Sequence, residues 1–289
     1  MSKRLVYLGT PEMAVPPLRA LHAAGHDIAL VVSRPDKRRG RGASTSPSPV
    51  KAAAQELGLP VTEVVDDVVS VGAELGVVVA FGRIIAPHVL AAVPMVNVHF
   101  SLLPRWRGAA PVERALLAGD DKTGVCIMAV EETVDTGAVY ARDEVPIGPT
   151  TTADELRDAL VGVGTRLLVD VLAGDLPEPE PQAGEPTYAD KIGSAEWELD
   201  WTRPAAVVGR WIRAGHAWTT FRGRRLRVLA GEPVDVTGEP ATLVDAGGVV
   251  ATGRGGIRLL TVQPEGRSAL AWRDFANGAH PGAGERFGP

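Results

Sequence analysis

The stretch that decides the fold is LGVVVAFGRIIAPHVLAAVPMVNVHF, residues 75–100. It begins with an apolar run, contains the helix-like PHVLAAVP in its middle, and ends with a second apolar run, MVNVHF. Strands that are apolar on both faces and are separated by helices are typical of a parallel sheet that helices cover on both sides. The segment therefore predicts a strand–helix–strand unit of an α/β sheet.

The same alternation continues on both sides of this unit. Further strands are predicted at residues 4–9, 27–34, 123–132 and 138–147. Further helices are predicted at residues 14–25, 48–58, 110–120 and 152–174. Ser48 and Thr152 are the expected N-caps of the second and the last of these helices. The predicted fold class is α/β, with a doubly wound, mostly parallel, Rossmann-like sheet.

The pattern changes after residue 174. Residues 175–204 are rich in Pro and Glu and are predicted to be a linker region. After one more helical stretch, several short β-like runs with glycine turns predict a smaller C-terminal β-barrel of the OB-like type. The predicted domains are a catalytic domain at 1–204, which includes the linker region, and a barrel at 205–289.

Charge and composition limit the classes of function. The 289 residues carry a net charge of −5 at pH 7, but residues 205–289 hold 11 Lys+Arg against 7 Asp+Glu. This basic C-terminal part fits either a bound polyanion or ordinary scatter of charge. No apolar run approaches the roughly 20 residues of a membrane helix, and the N-terminal run has no signal-peptide core. Cys126 is the only cysteine, so we expect no internal disulfide and a cytoplasmic protein.

Several common kinds of site are missing from the sequence. The first strand–helix turn, GTPEMA, lacks the G-x-G-x-x-G spacing of dinucleotide-binding folds, and no G-x-x-x-x-G-K-[ST] loop occurs. No serine, cysteine or threonine lies in a nucleophile motif, which favours direct transfer between two bound substrates. His22 and His26 are four residues apart, but no third ligand is evident, and no metal is predicted.

Asn97 and His99 are the first candidates for chemistry. They share one face of a predicted strand at its carboxyl end, where open α/β sheets bind ligands. A carboxamide and an imidazole can both donate to a developing oxyanion, as acyl transfer requires. Asp135, in a loop between two predicted strands, offers a carboxylate for the proton that an attacking amine loses. Both residues also have a purely structural interpretation. His99 could be a histidine whose hydrogen bonds are all made within the protein at a strand end, and Asp135 could be a turn residue.

Longer motifs bear on these alternatives. NVHFSLLPRWRGAAP (97–111), VDTG (134–137), GTPEMAVPPL (9–18) and LLTVQPEGRSAL (259–270) resemble the folate-dependent formyltransferase family, and within it the branch that formylates methionyl initiator tRNA. The resemblance covers nearly the full length. It implies transfer of a formyl group from 10-formyltetrahydrofolate to an amine through a tetrahedral intermediate. It also implies that Asn97, His99 and Asp135 are the catalytic residues.

The resemblance assigns further roles around this set. Asn97 and His99 are expected to stabilise the oxyanion, and Asp135 to orient His99 or to relay a proton to the leaving folate nitrogen through water. Two segments are implied to form the walls of the folate site. Their residues are Phe81, Gly82, Arg83, Ile84 and Ile85 on one side, and Ser101, Leu102, Leu103 and Pro104 on the other. Taken alone, each segment also fits a strand end or a plain turn.

Two basic segments are implied to contact tRNA phosphates. In the loop at residues 33–50 these residues are Lys37, Arg38, Arg39 and Arg41. In the strand-like segment at residues 219–231 they are Arg222, Arg224, Arg225 and Arg227. The alternatives are a solvated charged loop and a strand edge that charges protect from aggregation. The loop departs from the usual family pattern at two places: Arg38-Arg39 stands where Pro-Ala is frequent, and Ala43-Ser44 stands where lysines often follow. Its positive charge is therefore displaced rather than lost.

The expected partners are therefore initiator methionyl-tRNA and folate, without a membrane or a metal, and we expect a monomer. Alternatives with the same chemistry are a nucleotide-sugar N-formyltransferase and a 10-formyltetrahydrofolate hydrolase. An alternative of a different class is a non-catalytic RNA-binding protein. An enzyme acting on small molecules would not need the two basic segments, and an intact Asn-His-Asp set argues against a protein without catalysis.

Overall fold

The computed structural model describes residues 2–38 and 45–288. Contacts between residues divide the chain into two compact units. Unit 1 consists of residues 1–112, 122–146 and 157–190, and unit 2 of residues 113–121, 147–156 and 191–289. The last change of unit thus falls between residues 190 and 191, whereas the domain boundary at residue 204 stays a prediction from the sequence.

The described residues form seven α-helices. They are α1 Val15–Ala23, α2 Pro49–Glu56, α3 Pro87–Ala92, α4 Pro111–Ala118, α5 Ala153–Leu172, α6 Ala205–Arg213 and α7 Trp272–Ala279. Both predicted N-caps are confirmed. The Lys51 amide donates to Ser48 Oγ at 3.1 Å. The Glu155 amide donates to Thr152 Oγ1 at 3.3 Å while the Thr152 amide donates back to the Glu155 carboxylate at 2.9 Å, which forms a capping box.

Sixteen β-strands connect these helices in the described part of the chain. They are β1 Arg4–Gly9, β2 Asp27–Val32, β3 Lys37–Arg38, β4 Thr45–Ser46, β5 Val61–Thr62, β6 Leu75–Val79, β7 Met95–His99, β8 Arg107–Gly108, β9 Lys122–Ala129, β10 Val139–Pro146, β11 Tyr188–Ala189, β12 Trp218–Phe221, β13 Arg224–Val234, β14 Val249–Ala251, β15 Gly256–Pro264 and β16 Leu270–Ala271.

The central sheet of unit 1 has seven strands in the order β10-β9-β7-β6-β1-β2-β5. Strands β5, β2, β1, β6 and β7 are parallel, while β9 runs antiparallel to β7 and to β10. The chain winds from β1 outward through β2 to β5, and then crosses back to β6 and β7. Ligands bind outside the carboxyl ends of the strands at such a reversal. The predicted doubly wound, mostly parallel sheet is confirmed.

The strands of this sheet carry the core of unit 1. All five residues of β6 are buried, and so are the last five of β1, because helices or 3-10 turns cover both faces of a parallel sheet. Tyr7 in β1 is fully buried, and its hydroxyl donates to the Ala14 carbonyl at 2.5 Å. Burial raises the pKa of this phenol well above its ordinary value. The first strand–helix turn is thereby tied to the sheet.

Unit 2 contains a five-stranded antiparallel sheet. Its strands lie in the order β12-β13-β15-β14, and β16 pairs with β15. Bridges from Phe221 to Phe287 and from Leu243 to Val250 curl the sheet round a core that includes Trp201, Trp272 and Phe287. The expected OB-like C-terminal fold is confirmed. None of the helices in the described residues is long and apolar enough to cross a membrane.

Candidate active site

Asn97 and His99 lie at the carboxyl end of β7, next to the centre of the sheet. Because side chains alternate along a strand, both point to the same face. Asn97 pairs with Val78 of β6 and Met128 of β9 and is half-buried. Within residues 2–38 and 45–288, no group hydrogen-bonds the Asn97 carboxamide. Its two N–H donors are therefore available to a ligand at this end of the sheet.

His99 is held between two acceptors. Its Nε2 lies 2.9 Å from the Trp106 carbonyl oxygen. Since a carbonyl oxygen only accepts, Nε2 must carry a proton. Nδ1 lies 3.5 Å from Asp135 Oδ2, and the two side chains are only 6% and 12% exposed. The ring of His99 is therefore oriented from both sides, by a carbonyl at Nε2 and by a carboxylate at Nδ1.

Asp135 is fixed in the loop that joins β9 to β10. Its φ of 55° lies in the left-handed region, which Asp adopts more readily than most residues. Its Oδ2 accepts from the Gly108 amide at 2.8 Å. Two residues further on, a Cβ at Gly137 would overlap with the Ala129 carbonyl oxygen, so only glycine fits there. The sequence Asp-Thr-Gly thus places the carboxylate in a loop packed directly on the end of β9.

The loop that presents the Trp106 carbonyl to His99 has its own supports. Ser101 Oγ donates to the Arg105 carbonyl oxygen at 2.5 Å. The Trp106 amide donates to Thr187 Oγ1, and the Arg107 amide donates to the Thr187 carbonyl, both at 2.9 Å. Strands β8 and β11 pair in parallel at this point, with Tyr188 opposite Arg107. The loop is therefore held by residues about 80 positions later in the chain.

Gln182 also supports the site. Its Nε2 donates to the carbonyl oxygens of Asp135 and Gly137 at 2.9 and 2.8 Å. Its Oε1 accepts from the Arg107 guanidinium at 3.1 and 2.6 Å. Sequence reasoning missed both Gln182 and Thr187, which lie in the stretch predicted as a linker region. One amide and one hydroxyl among prolines and glutamates give no periodicity or motif that would single them out.

The predicted folate walls follow neighbouring strands, β6 and β7, where Val79 pairs with Val98. Ile84 is 80% exposed, Gly82 and Arg83 are exposed, and Leu102 and Pro104 are half-buried. The remaining members are buried, side chain and main chain together, with 6% exposure or less; these are Phe81, Ile85, Ser101 and Leu103. Arg34 donates to the Gly82 carbonyl, which ties the basic loop to the first wall.

The basic loop is described only in part. Lys37 and Arg38 form β3, which pairs with Ser46 and Thr45 of β4. Arg39 and Arg41 lie outside the described residues. The role of this loop in tRNA binding stays a prediction.

The four C-terminal arginines differ in their surroundings. The Arg222 guanidinium is occupied: it makes two bonds of 2.7 Å to the Glu285 carboxylate and one of 2.8 Å to the Ala279 carbonyl. Arg227 is half-buried and donates to Gln263 and to the Gly215 carbonyl. Arg224 and Arg225 are exposed, and the Arg225 guanidinium lies 4.2 Å from the centre of the Trp218 ring. Arg222 is exposed too, so Arg224 and Arg225 are the two exposed arginines of the four whose guanidinium groups make no hydrogen bond or ion pair within the described residues.

A metal site has no counterpart in what the structure describes. No three His, Cys, Asp or Glu side chains among residues 2–38 and 45–288 are grouped so that they could hold a metal ion.

Comparison with known proteins gives consistent matches along the chain. A formyl transferase model matches residues 3–172, and a model of the formyl transferase C-terminal domain matches residues 191–280. Methionyl-tRNA formyltransferase from Roseobacter denitrificans is 44% identical over 293 residues, which cover 96% of this chain and 96% of that protein. Methionyl-tRNA formyltransferase from Heliobacterium modesticaldum is 41% identical over 316 residues, covering 99% of this chain and all of that protein.

A solved structure shares the fold. It is the N-formyltransferase from Helicobacter canadensis in complex with folinic acid and dTDP-3-aminofucose. The likeness has a TM-score of 0.70 and covers 90% of this chain and 99% of that one. At 17% sequence identity it supports the architecture and says nothing of the acceptor.

The Arg222–Glu285 pair predicts a pH-dependent contribution to stability. The hydrogen bonds from Arg222, and then the one from the Gly282 amide, lower the pKa of Glu285 to about 2. A folded-state pKa below the ordinary value stabilises the protein above about pH 4.5, and this stabilisation is lost as the pH falls towards 2. We expect Glu285→Gln to lower the Tm modestly at pH 7, with the difference from wild type shrinking below pH 4.5. Thermal unfolding at pH 7, 5, 4 and 3 measures this.

The matched control is Glu265→Gln, because Glu265 is exposed and has no side-chain hydrogen bond or ion pair in the described chain. It should leave the Tm unchanged at every pH. A Glu285→Gln difference that stays constant from pH 7 to pH 3 would contradict the assignment.

Proposed function

The chain belongs to the formyl transferase family, and on that premise we propose that it transfers the formyl group of 10-formyltetrahydrofolate to the α-amino group of methionyl initiator tRNA. The observation that carries the proposal is the match to methionyl-tRNA formyltransferases from end to end, C-terminal domain included. The formylated tRNA serves translation initiation, which takes place in the cytoplasm, so we place the protein there. A monomer stays a prediction.

The proposed chemistry uses the three residues at the end of β7 and in the Asp135 loop. The amine attacks the formyl carbon, and the formyl oxygen becomes an oxyanion. Asn97, whose carboxamide has no protein partner in the described residues, donates a hydrogen bond to that oxygen. His99 shares this face of β7 and helps to stabilise the same oxygen, with its ring oriented by the Trp106 carbonyl and by Asp135. Electrostatic stabilisation of this kind is strong because the site is largely buried.

The proton balance follows from the same arrangement. The amine nitrogen loses one proton as it forms the new C–N bond. Asp135, alone or through water, accepts this proton. The bond between the formyl carbon and the folate nitrogen then breaks, and that nitrogen receives a proton from the same relay. No covalent bond to the protein is needed.

The formyl donor fits the two segments that follow β6 and β7. Ile84 offers exposed apolar surface, and Leu102 and Pro104 offer more from the other segment. A flat pterin ring needs such surface together with main-chain donors and acceptors, which are abundant where parallel strands end. We therefore propose residues 81–85 and 101–104 as the folate walls, with contact from the members that are exposed or half-buried; these are Gly82, Arg83, Ile84, Leu102 and Pro104.

For tRNA binding we propose Arg224 and Arg225 as phosphate contacts, and Lys37, Arg38, Arg39 and Arg41 as further contacts from the basic loop. Arg227 contributes less, because it is half-buried and already bonded. Arg222 is left out of this set because Glu285 and Ala279 occupy its guanidinium.

The direct test is to incubate the purified protein with 10-formyltetrahydrofolate and three acceptors in turn: methionyl initiator tRNA, a nucleotide-linked amino sugar, and water alone. We expect formyl-methionyl-tRNA to be the main product. Formylated amino sugar, or formate released without an acceptor, would instead support the sugar enzyme or the hydrolase. Tight tRNA binding without any formyl product would support a non-catalytic RNA-binding protein.

Substitution of the catalytic residues predicts a large loss of rate. We expect Asn97→Ala to lower kcat by about 10²–10³-fold, because one oxyanion donor is removed. We expect His99→Ala to lose at least as much. Steady-state kinetics with methionyl-tRNA, with Tm recorded for each variant, measures this effect. The controls are the exposed residues Asn277→Ala and His22→Ala, which should keep the wild-type kcat. A folded His99→Ala protein with near-native kcat would reject the assignment.

Replacement of the exposed arginines predicts weaker tRNA binding. We expect the double variant Arg224→Gln/Arg225→Gln to raise the Kd for tRNA. We also expect the slope of log K against log salt concentration to become shallower by about 1 for each phosphate that the protein no longer neutralises. The control Arg254→Gln removes an exposed arginine of the same unit and should change neither quantity. An unchanged slope in the double variant would place the phosphate-binding residues elsewhere.

A further inference from the structure

We propose that Gln182 is a positioning residue for the reaction, and that residues 180–189 form a support which holds His99 and Asp135 in register. We call residues 180–189 the supporting segment. The inference rests on the proposed function, since it concerns the same site. The segment lies between the two matched family models, which end at residue 172 and begin at residue 191.

The amide of Gln182 is fully used. Its two N–H groups donate to the carbonyls of Asp135 and Gly137, and its oxygen accepts both bonds from Arg107. An amide has two donors and two lone pairs, so no hydrogen-bonding capacity is left for solvent or substrate. Among side chains of this length, only an amide offers a pair of donors and an acceptor together. A side chain with every bond committed inside the protein holds its neighbours in place rather than reacting.

These bonds close a cycle around Asp135. Gln182 holds the Asp135 carbonyl, the Gly108 amide holds the Asp135 carboxylate, and Arg107 links Gly108 back to Gln182. Asp135 is thus held at its main chain and at its side chain by one connected set. Its left-handed backbone, with φ at 55°, needs such support because this region is unfavourable without neighbouring contacts.

The same segment holds His99 through a second path. Thr187 Oγ1 accepts from the Trp106 amide, and the Trp106 carbonyl accepts from His99. At its other end the segment is anchored by Glu180, whose main chain exchanges two bonds of 2.8 and 2.9 Å with Val139. Both partners of the His99–Asp135 contact therefore depend on the supporting segment. A small shift of either would misalign the reacting groups.

The test uses two substitutions of Gln182. Gln182→Met removes all four bonds. Gln182→Glu keeps the acceptor for Arg107 but loses both donors to Asp135 and Gly137. We expect kcat to fall by roughly 10- to 100-fold in both, because a misplacement of about 1 Å can cost that much. The KM values for 10-formyltetrahydrofolate and for methionyl initiator tRNA should stay within about twofold of wild type, because the positioned groups act on the transition state. The matched control is Glu185→Gln, an exposed residue of the same segment.

A double-mutant comparison separates positioning from general destabilisation. If Gln182 acts through Asp135, then Asp135→Asn combined with Gln182→Met should be no slower than Asp135→Asn alone. The inference would be overturned if the two substitutions lowered kcat additively. It would also be overturned if Gln182→Met lowered the Tm along with kcat and raised KM. Thr187→Val tests the second path independently. It removes the acceptor of the Trp106 amide at almost constant volume, and we expect it to lower kcat with KM unchanged.

Failure of the inference differs from failure of the proposed function. A wild-type protein that formylates methionyl-tRNA, with Gln182→Met and Gln182→Glu at the same kcat, overturns the inference alone. A wild-type protein that formylates only an amino sugar overturns the proposed acceptor. The Gln182 variants are then compared on that sugar, with the same expected loss.

Discussion

The site depends on a histidine that has an acceptor at each ring nitrogen. His99 lies between the Trp106 carbonyl and the Asp135 carboxylate, and the side chains of His99 and Asp135 are nearly buried. In such surroundings an unpaired polar group is costly, so the two acceptors must be supplied by the fold. They come from separate loops, one after β7 and one between β9 and β10. The rest of unit 1 brings these loops to the same end of the sheet.

Much of this arrangement follows from local pattern. Apolar strands alternating with helices predict the sheet, and a side-chain period of two puts Asn97 and His99 on one face. Asp135 follows an apolar strand, but a turn residue fits that pattern equally well, and only the resemblance of the longer motifs implies a catalytic role for it. The long-range supports are of another kind. Gln182 and Thr187 act across separations of 47 and 81 residues, through single side chains in a stretch without periodicity. Such contacts are set by tertiary packing, which composition does not encode.

The same limit applies to charge. Four arginines close together in sequence predict a basic surface, but a carboxylate 63 residues later occupies one of them, and a glutamine 36 residues later binds another. A count of arginines therefore overstates the charge that is open to a partner. In one of the two proposed folate walls, the exposed Ile84 and the buried Phe81 lie close together in one motif. A motif names the segment, and burial decides which atoms of it a ligand can reach.

The close approach of Gly137 to β9 limits how the Asp-Thr-Gly turn could be moved into another protein. Since there is room for only a hydrogen at Gly137 beside the Ala129 carbonyl, the position of the Asp-Thr-Gly turn is set by its packing against the end of β9. The orientation of the Asp135 carboxylate therefore depends on the turn and on the end of β9 together. A gene rearrangement or a design that moved the acidic turn alone into a foreign sheet would carry the carboxylate but not its orientation.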